Sequence, residues 1–264
     1  MIAGSTSHPA LAEGLDAPGR YQEHGTVSFD GTGRFYLDRE ISQPMGHQGA
    51  DWLERPRRAV EEQPQKLIHA LNLQPTDVVA DIGAGTGYIT VRLSAEVPQG
   101  KVYAVDVEPE TLAILQQTQA QRGVTNIEPI LGEPDDPHLP TASVDLVLMV
   151  DAYHEFAYPY EMMTHIVAAL KPQGRVVLAE YRSEDPFVFI KPLHKMTEAQ
   201  VRREMEAVGL VWRETKNLLP QQHLLIFERS PEISPETSPE VSPETSPEIS
   251  PEISPGLAGD VAPG

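Results

Sequence analysis

From residue 77 onward, short apolar runs alternate with stretches whose apolar positions recur every three or four residues. The runs 77–81, 102–107, 127–131, 144–150 and 175–180 are almost continuously apolar, which predicts strands buried on both faces. Between them, 87–96, 109–121 and 159–170 read as helices, the last ending at Lys171-Pro172-Gln173-Gly174. Thr197 with Gln200 resembles a capping box, so a further helix is expected to run from 197 to 208 and stop at Gly209. Two closing strands follow, 210–214 and 223–227. Strand and helix in alternation predict an α/β, doubly wound, mostly parallel sheet with helices on both faces. The closing pair adds one antiparallel strand near the C-terminal end.

Upstream the pattern weakens. Val60, Leu67, Ile68 and Leu71 fall on one face of a helix expected over 57–73, with Pro64 marking a kink or a break. Just before it, residues 47–56 gather His47, Trp52 and several charges. That segment suits a lid over a ligand pocket, or a helix whose Trp52 plugs the core; the two roles are compatible. Residues 1–40 are polar and glycine-rich and read as a flexible extension, with 41–75 as a cap and helix and 76–229 as the main domain. From Ser230 the tetrapeptide Ser-Pro-Glu-x repeats six times, x being Ile, Thr or Val. Proline at every fourth position forbids helix, and one apolar residue in four buries too little to offset chain entropy. Residues 230–264 are therefore read as a disordered tail. At about 3.1 Å per residue the repeats could reach roughly 75 Å. A solubilising spacer is the plain role for them; phosphorylation at Ser-Pro or recruitment of a partner are the sharper ones.

The chain of 264 residues contains no cysteine, which excludes disulfides, thiolate metal sites and cysteine nucleophiles. Its formal charge is −19; the tail holds six glutamates and one aspartate with no Lys or Arg, and removing those seven leaves about −12. Such a surface repels polyanions, so a nucleic-acid partner is not expected. Arg55, Arg57 and Arg58 form a tight basic cluster, read as a solvated helix face. The N-terminus lacks a basic segment followed by an apolar one, and no run approaches the roughly 20 apolar residues of a spanning helix. A cytoplasmic location without membrane insertion is expected.

Residues 81–88, Asp-Ile-Gly-Ala-Gly-Thr-Gly-Tyr, lie between a strand and a helix, where a glycine-rich turn lets a ligand press on bare backbone. A dinucleotide turn has glycines in the pattern G-x-G-x-x-G; here the third position is Tyr88 and the extra glycine is Gly87. Asp81 would also oppose a pyrophosphate on the helix N-terminus. A cationic nucleoside such as S-adenosylmethionine suits the acidic turn better. The second strand ends at Asp106, followed by Val107, about 20 residues past the turn, where a carboxylate can accept both hydroxyl protons of a ribose. Beyond the third strand, in Gly132-Glu133-Pro134-Asp135-Asp136-Pro137-His138-Leu139-Pro140, an adenine would need an acceptor and a backbone N–H. Pro134 and Pro137 have no N–H, which points to the Asp135 carboxylate and the Asp136 N–H.

The order Asp-x-Gly-x-Gly-x-Gly at 81–87, Val-Asp at 105–106, Asp-Asp-x-x-Leu-Pro at 135–140, Val-Asp-Leu-Val at 144–147 and Leu-Lys-Pro-x-Gly-Arg at 170–175 resembles the class I S-adenosylmethionine-dependent methyltransferases. Within them it is most similar to the small-molecule methyltransferase-domain group that includes ubiquinone and menaquinone methyltransferases. The resemblance covers about residues 65–228. It implies a Rossmann-like seven-stranded sheet with the last strand inserted antiparallel. It also implies that Asp81, Gly83, Ala84, Gly85 and Gly87 line the methionine moiety, that Asp106 and Val107 border the ribose, and that Asp135 and Asp136 meet adenine. After the fourth strand the nucleic-acid amino-methylating enzymes carry Asn/Asp-Pro-Pro-aromatic, whereas this chain reads Asp151-Ala152-Tyr153-His154-Glu155-Phe156. DNA adenine methylation is therefore not expected.

That hexapeptide carries the candidate chemistry: Asp151 beside the cofactor, and His154 as a base toward an O, N or C nucleophile with Glu155 orienting it or acting itself. Methyl transfer from a sulfonium needs alignment above all, so a base helps without being obligatory. Tyr153, Tyr181 and His194 are candidates for the small-molecule acceptor pocket, which His47 and Trp52 would close. Without a tight spacing such as H-x-x-x-H, no metal is expected. The alternatives are an NAD(P)-dependent oxidoreductase and a non-catalytic cofactor-binding scaffold whose tail recruits partners.

Overall fold

A computed structural model of the chain describes residues 19–24, 28–46 and 49–229. The Ser-Pro-Glu repeats and His47 lie outside the described residues.

Seven strands form the central sheet: β4 (Val78–Ile82), β5 (Lys101–Asp106), β6 (Ile127–Leu131), β7 (Val144–Val150), β8 (Leu170–Tyr181), β9 (Leu210–Lys216) and β10 (Gln222–Arg229). They lie in the order β6-β5-β4-β7-β8-β10-β9. β10 runs antiparallel to both neighbours, while the pairs from β6 through β8 are parallel. The expected α/β architecture with one antiparallel strand is the one observed. Side chains alternate between two cores, as the two-residue period of a strand requires. Ala80, Ile82, Val147 and Met149 face α6 (Pro159–Ala169) and α7 (Glu198–Glu206) with Met163, Ile166 and Met205. Val79, Ala104, Leu146 and Leu148 face the opposite layer, where Leu67 and Ile68 come from α3 (Pro64–Ala70), Leu93 from α4 (Thr90–Glu96) and Leu115 from α5 (Pro109–Arg122). Thr197 caps α7 as expected, its hydroxyl accepting the Gln200 N–H at 3.1 Å.

The chain moves outward from β4 to β6 and then returns to pair β7 beside β4. This reversal opens a crevice outside the carboxyl ends of β4 and β7, where ligands of such sheets bind.

The break expected at Pro64 in the helix over 57–73 is observed: after the short α1 (Ala50–Leu53) come two pieces, α2 (Arg58–Glu61) and α3, separated by Gln63 at φ 48°. Pro64 starts α3 at a position where a missing N–H costs nothing, and its ring disfavours the helical region for Gln63. The flexible extension expected over 1–40 needs correction, because it holds β1 (Tyr21–Glu23) and β2 (Gly31–Tyr36), which form an antiparallel sheet with β3 (Arg39–Ser42). Tyr36 and Ile41 are buried, and Arg39 pairs with the buried Glu204 of α7 through two bonds of 2.7 and 2.9 Å. Glycines and polar residues hid this sheet, because only one of its faces meets the main domain.

Candidate functional site

The turn after β4 is tied to β5: the N–H groups of Gly83 and Ala84 both donate to the Val105 carbonyl, at 2.9 and 3.0 Å. Gly83 and Gly85 have φ of 75° and 53°, a region that strains any residue with a Cβ. They are also crowded: a Cβ on Gly83 would lie 2.7 Å from Ala152 Cβ, and one on Gly85 would lie 2.8 Å from Leu53 Cδ1. Gly87 instead approaches Leu115 of α5, so part of its role is helix packing. Asp106 accepts the Gly85 N–H at 2.7 Å on Oδ2 and the Glu108 N–H at 2.9 Å on Oδ1, and each oxygen keeps a further lone pair. Val107 beside it is 46% exposed, at the mouth of the crevice.

Asp81 points into the protein, where it accepts a hydrogen bond from Thr90 Oγ1 at 2.7 Å. Burial raises its pKa to about 6 even though Thr90 and Arg58 favour its charge, and the nearby Asp106 adds to the rise. The charge of Arg58 offsets that burial only in part. Such a turn fits a ligand that brings an ammonium and a ribose, which is the donor set of S-adenosylmethionine. Asp136 Oδ1 accepts the His138 N–H at 2.7 Å, and the Asp135 carbonyl lies 3.0 Å from His165 Nδ1.

At the ends of β7 and β8 is a cavity of about 590 Å³. Trp52, Arg55, Arg58 and Glu62 line one wall, Asp151, His154 and Glu155 the strand ends, and Tyr181, Phe189 and His194 the far side. The structure thus brings Trp52, Asp151, His154, Glu155, Tyr181 and His194 together at one cavity. Tyr153 does not join them. It is fully buried, its hydroxyl donates to Glu204 at 2.7 Å, and its ring stands edge-on to Phe156. Tyr153 is a core residue, because the one-turn 3-10 helix Tyr153–Glu155 sends neighbouring side chains to opposite sides.

His154 sits on that turn with its Nδ1 2.7 Å from Oε2 of Glu180, a fully buried carboxylate whose Oε1 accepts the Tyr153 N–H at 3.1 Å. Burial alone would lower the imidazole pKa, but the charge of Glu180 and its hydrogen bond outweigh that, and the net shift is upward. The His154 carbonyl accepts from Arg39 Nη1 at 3.1 Å and Ser42 Oγ at 3.3 Å, so β3 holds the catalytic candidate in place. Glu180 stands out in the sequence only as part of the polar group 180–185 past the fifth strand, with no link to His154, and Arg39 lies in a segment with no visible period.

The basic cluster is not a solvated face throughout. Arg58 is buried, and both Arg55 and Arg58 donate to Glu62, at 2.7 and 2.8 Å. The Tyr181 hydroxyl also donates to Glu62, at 3.2 Å, and Arg55 lies over the Trp52 ring at 3.8 Å. Their role is to build a cavity wall. Asp151 adopts φ 50° and accepts from Gln222 Nε2 at 2.6 Å, while its buried Oδ1 has no partner. Burial, then the charges of Glu62 and Glu180, push its pKa well above the ordinary aspartate value.

Comparison with known proteins agrees with this geometry. The family described as a methyltransferase domain matches residues 79–174. An uncharacterised methyltransferase-like protein of Schizosaccharomyces pombe is 31% identical over 142 residues, 54% of this chain and 53% of its own length. An arsenite methyltransferase of Halobacterium salinarum is 30% identical over 118 residues, 44% of this chain and 30% of its own. The chain thus spans about half or less of the length of these curated relatives. A solved S-adenosylmethionine-dependent methyltransferase from Aquifex aeolicus shares the fold, with a TM-score of 0.66 at 23% identity over 70% of this chain and 98% of that one.

Proposed function

We propose, for a chain that belongs to the class I S-adenosylmethionine-dependent methyltransferases, that it methylates an O, N or C nucleophile of a small molecule held in the cavity at the strand ends. The observation that carries this reading is the contact of Gly83 with Ala152. Through it the glycine turn and the 151–155 turn share a wall, so a cofactor on one side and an acceptor on the other meet there.

When bound, S-adenosylmethionine supplies a methyl group already activated on a sulfonium. Asp106 would hold the ribose with its remaining lone pairs, Asp81 would face the ammonium, and Asp135 and Asp136 would border adenine. Trp52 and Tyr181 would set the acceptor between the cavity walls, and the unpartnered Oδ1 of Asp151 would hydrogen-bond to it. Such alignment supplies much of the acceleration in an in-line displacement. With Nδ1–H committed to Glu180, the His154 Nε2 lone pair, which faces His194 Nδ1 at 3.2 Å, would take the proton that an acceptor hydroxyl or amine must lose. The apolar rim of Phe29, Phe189 and Trp52 suits an acceptor with an apolar body. The nicotinamide-dependent alternative falls away with the family assignment.

Titration calorimetry with S-adenosylmethionine and its demethylated product tests the cofactor half. Binding is expected in the micromolar range and at least tenfold weaker in Asp106→Ala; absence of binding to either ligand would overturn the reading.

A further inference from the structure

We propose that His154, Glu155 and His194 form a binding site for a divalent transition-metal cation, of which zinc is the type, on the floor of the acceptor cavity. The inference rests on the same site as the methyl-transfer reading and adds to it an ion that spacing along the chain does not reveal.

Three ligand atoms converge there from two separate turns. His154 Nε2 lies 3.2 Å from His194 Nδ1. Glu155 Oε1 lies 3.8 Å from the first and 3.5 Å from the second. A tetrahedral zinc with bonds of 2.0–2.1 Å sets its ligands about 3.4 Å apart. The three observed separations bracket that figure, so shifts of a few tenths of an ångström complete the set.

The outer atoms of two of the three ligands, His154 and Glu155, are already engaged. Glu180 takes the Nδ1–H of His154, which turns the Nε2 lone pair to the centre of the cluster. On the other ring, His194 Nε2 lies 3.7 Å from Asp30 Oδ2, a buried oxygen with no hydrogen-bond partner. A carboxylate behind each imidazole is the arrangement that orients metal-bound histidines and raises their basicity. Glu155 is held by its other oxygen, which accepts the Met45 N–H at 3.1 Å. Without a cation, two imidazole nitrogens and a carboxylate oxygen share one point, and a single proton pairs only two of them. A divalent ion satisfies all three.

Three protein ligands facing a cavity leave a fourth position open, as in catalytic rather than structural zinc sites. An acceptor hydroxyl reaching that position ionises more readily, and its proton passes to solvent. In that loaded form His154 holds the ion instead of the proton.

Cobalt(II) is the probe. Tag-free full-length protein, stripped with chelator, is titrated with Co(II) while visible absorption is recorded, and S-adenosylmethionine binding is measured on the same samples. One equivalent is expected to give d–d bands of low-symmetry cobalt, reversed by excess Zn(II). His194→Ala, with unchanged circular dichroism and melting, should remove the bands. Glu180→Gln should weaken binding roughly 10–100-fold. No bands in the native protein, or bands of equal affinity in His194→Ala, overturn the proposal. If S-adenosylmethionine still binds in that case, the methyltransferase reading stands alone; cobalt bands without cofactor binding would reject that reading and keep the ion.

Discussion

Gly83 and Ala152 touch so closely that a Cβ on the glycine would come within 2.7 Å of the alanine's own. Two strand ends, β4 and β7, are thereby joined through one bare backbone position at the switch point of the sheet. Gly83→Ala adds that Cβ where φ is 75°, a strain of roughly 1–2 kcal/mol before any clash. Calorimetry is expected to show cofactor affinity reduced at least tenfold, and a thermal melt a lower transition with the fold retained. Native affinity in this variant would detach the glycine turn from the cofactor.

Asp81 is expected to make cofactor binding depend on pH. Its carboxyl ionises near pH 6 in the folded protein and near 3.8 when unfolded, because burial penalises the charge. Its contribution to stability is therefore fully present below the unfolded value and is lost as pH rises through about 6. An ammonium placed beside it offsets that loss, so the ligand should bind more tightly as pH goes from about 5 to about 7. Asp81→Asn should flatten this dependence. An equal slope in native and variant protein would show that Asp81 does not meet the cation.

The Arg39–Glu204 pair joins the N-terminal sheet to α7, with the guanidinium also on the His154 carbonyl. Removing one partner of such a pair leaves a buried charge uncompensated, at a cost of roughly 3–5 kcal/mol. Glu204→Gln is expected to lower the denaturation midpoint accordingly, with Arg39→Met plus Glu204→Leu recovering part of the loss. A midpoint unchanged in Glu204→Gln would remove the N-terminal sheet from the structural support of His154.

The sheet and the glycine turn were legible because they rest on local signals. The apolar strands are buried on both faces, and Asp106 follows the turn within one β-α-β unit. The cavity was legible only in part. His154, Glu155 and His194 stood out as residue types, but Glu180 is hidden in an apolar strand and Glu62 in a broken helix. The small N-terminal sheet carried no readable period, since its buried and exposed positions do not alternate regularly. Tyr153 was read toward the acceptor because it adjoins His154; the 3-10 turn sends the two apart. The three candidate metal ligands come from two turns 40 residues apart, a proximity that only tertiary folding creates.

The central claim is methyl transfer to a small molecule, and the most direct test is incubation of full-length protein with methyl-labelled S-adenosylmethionine and a metabolite extract. The label is expected on a low-mass product, with turnover reduced about 10²-fold or more in His154→Ala at unchanged cofactor affinity. Label appearing solely on macromolecules, or no transfer despite cofactor binding, would contradict it.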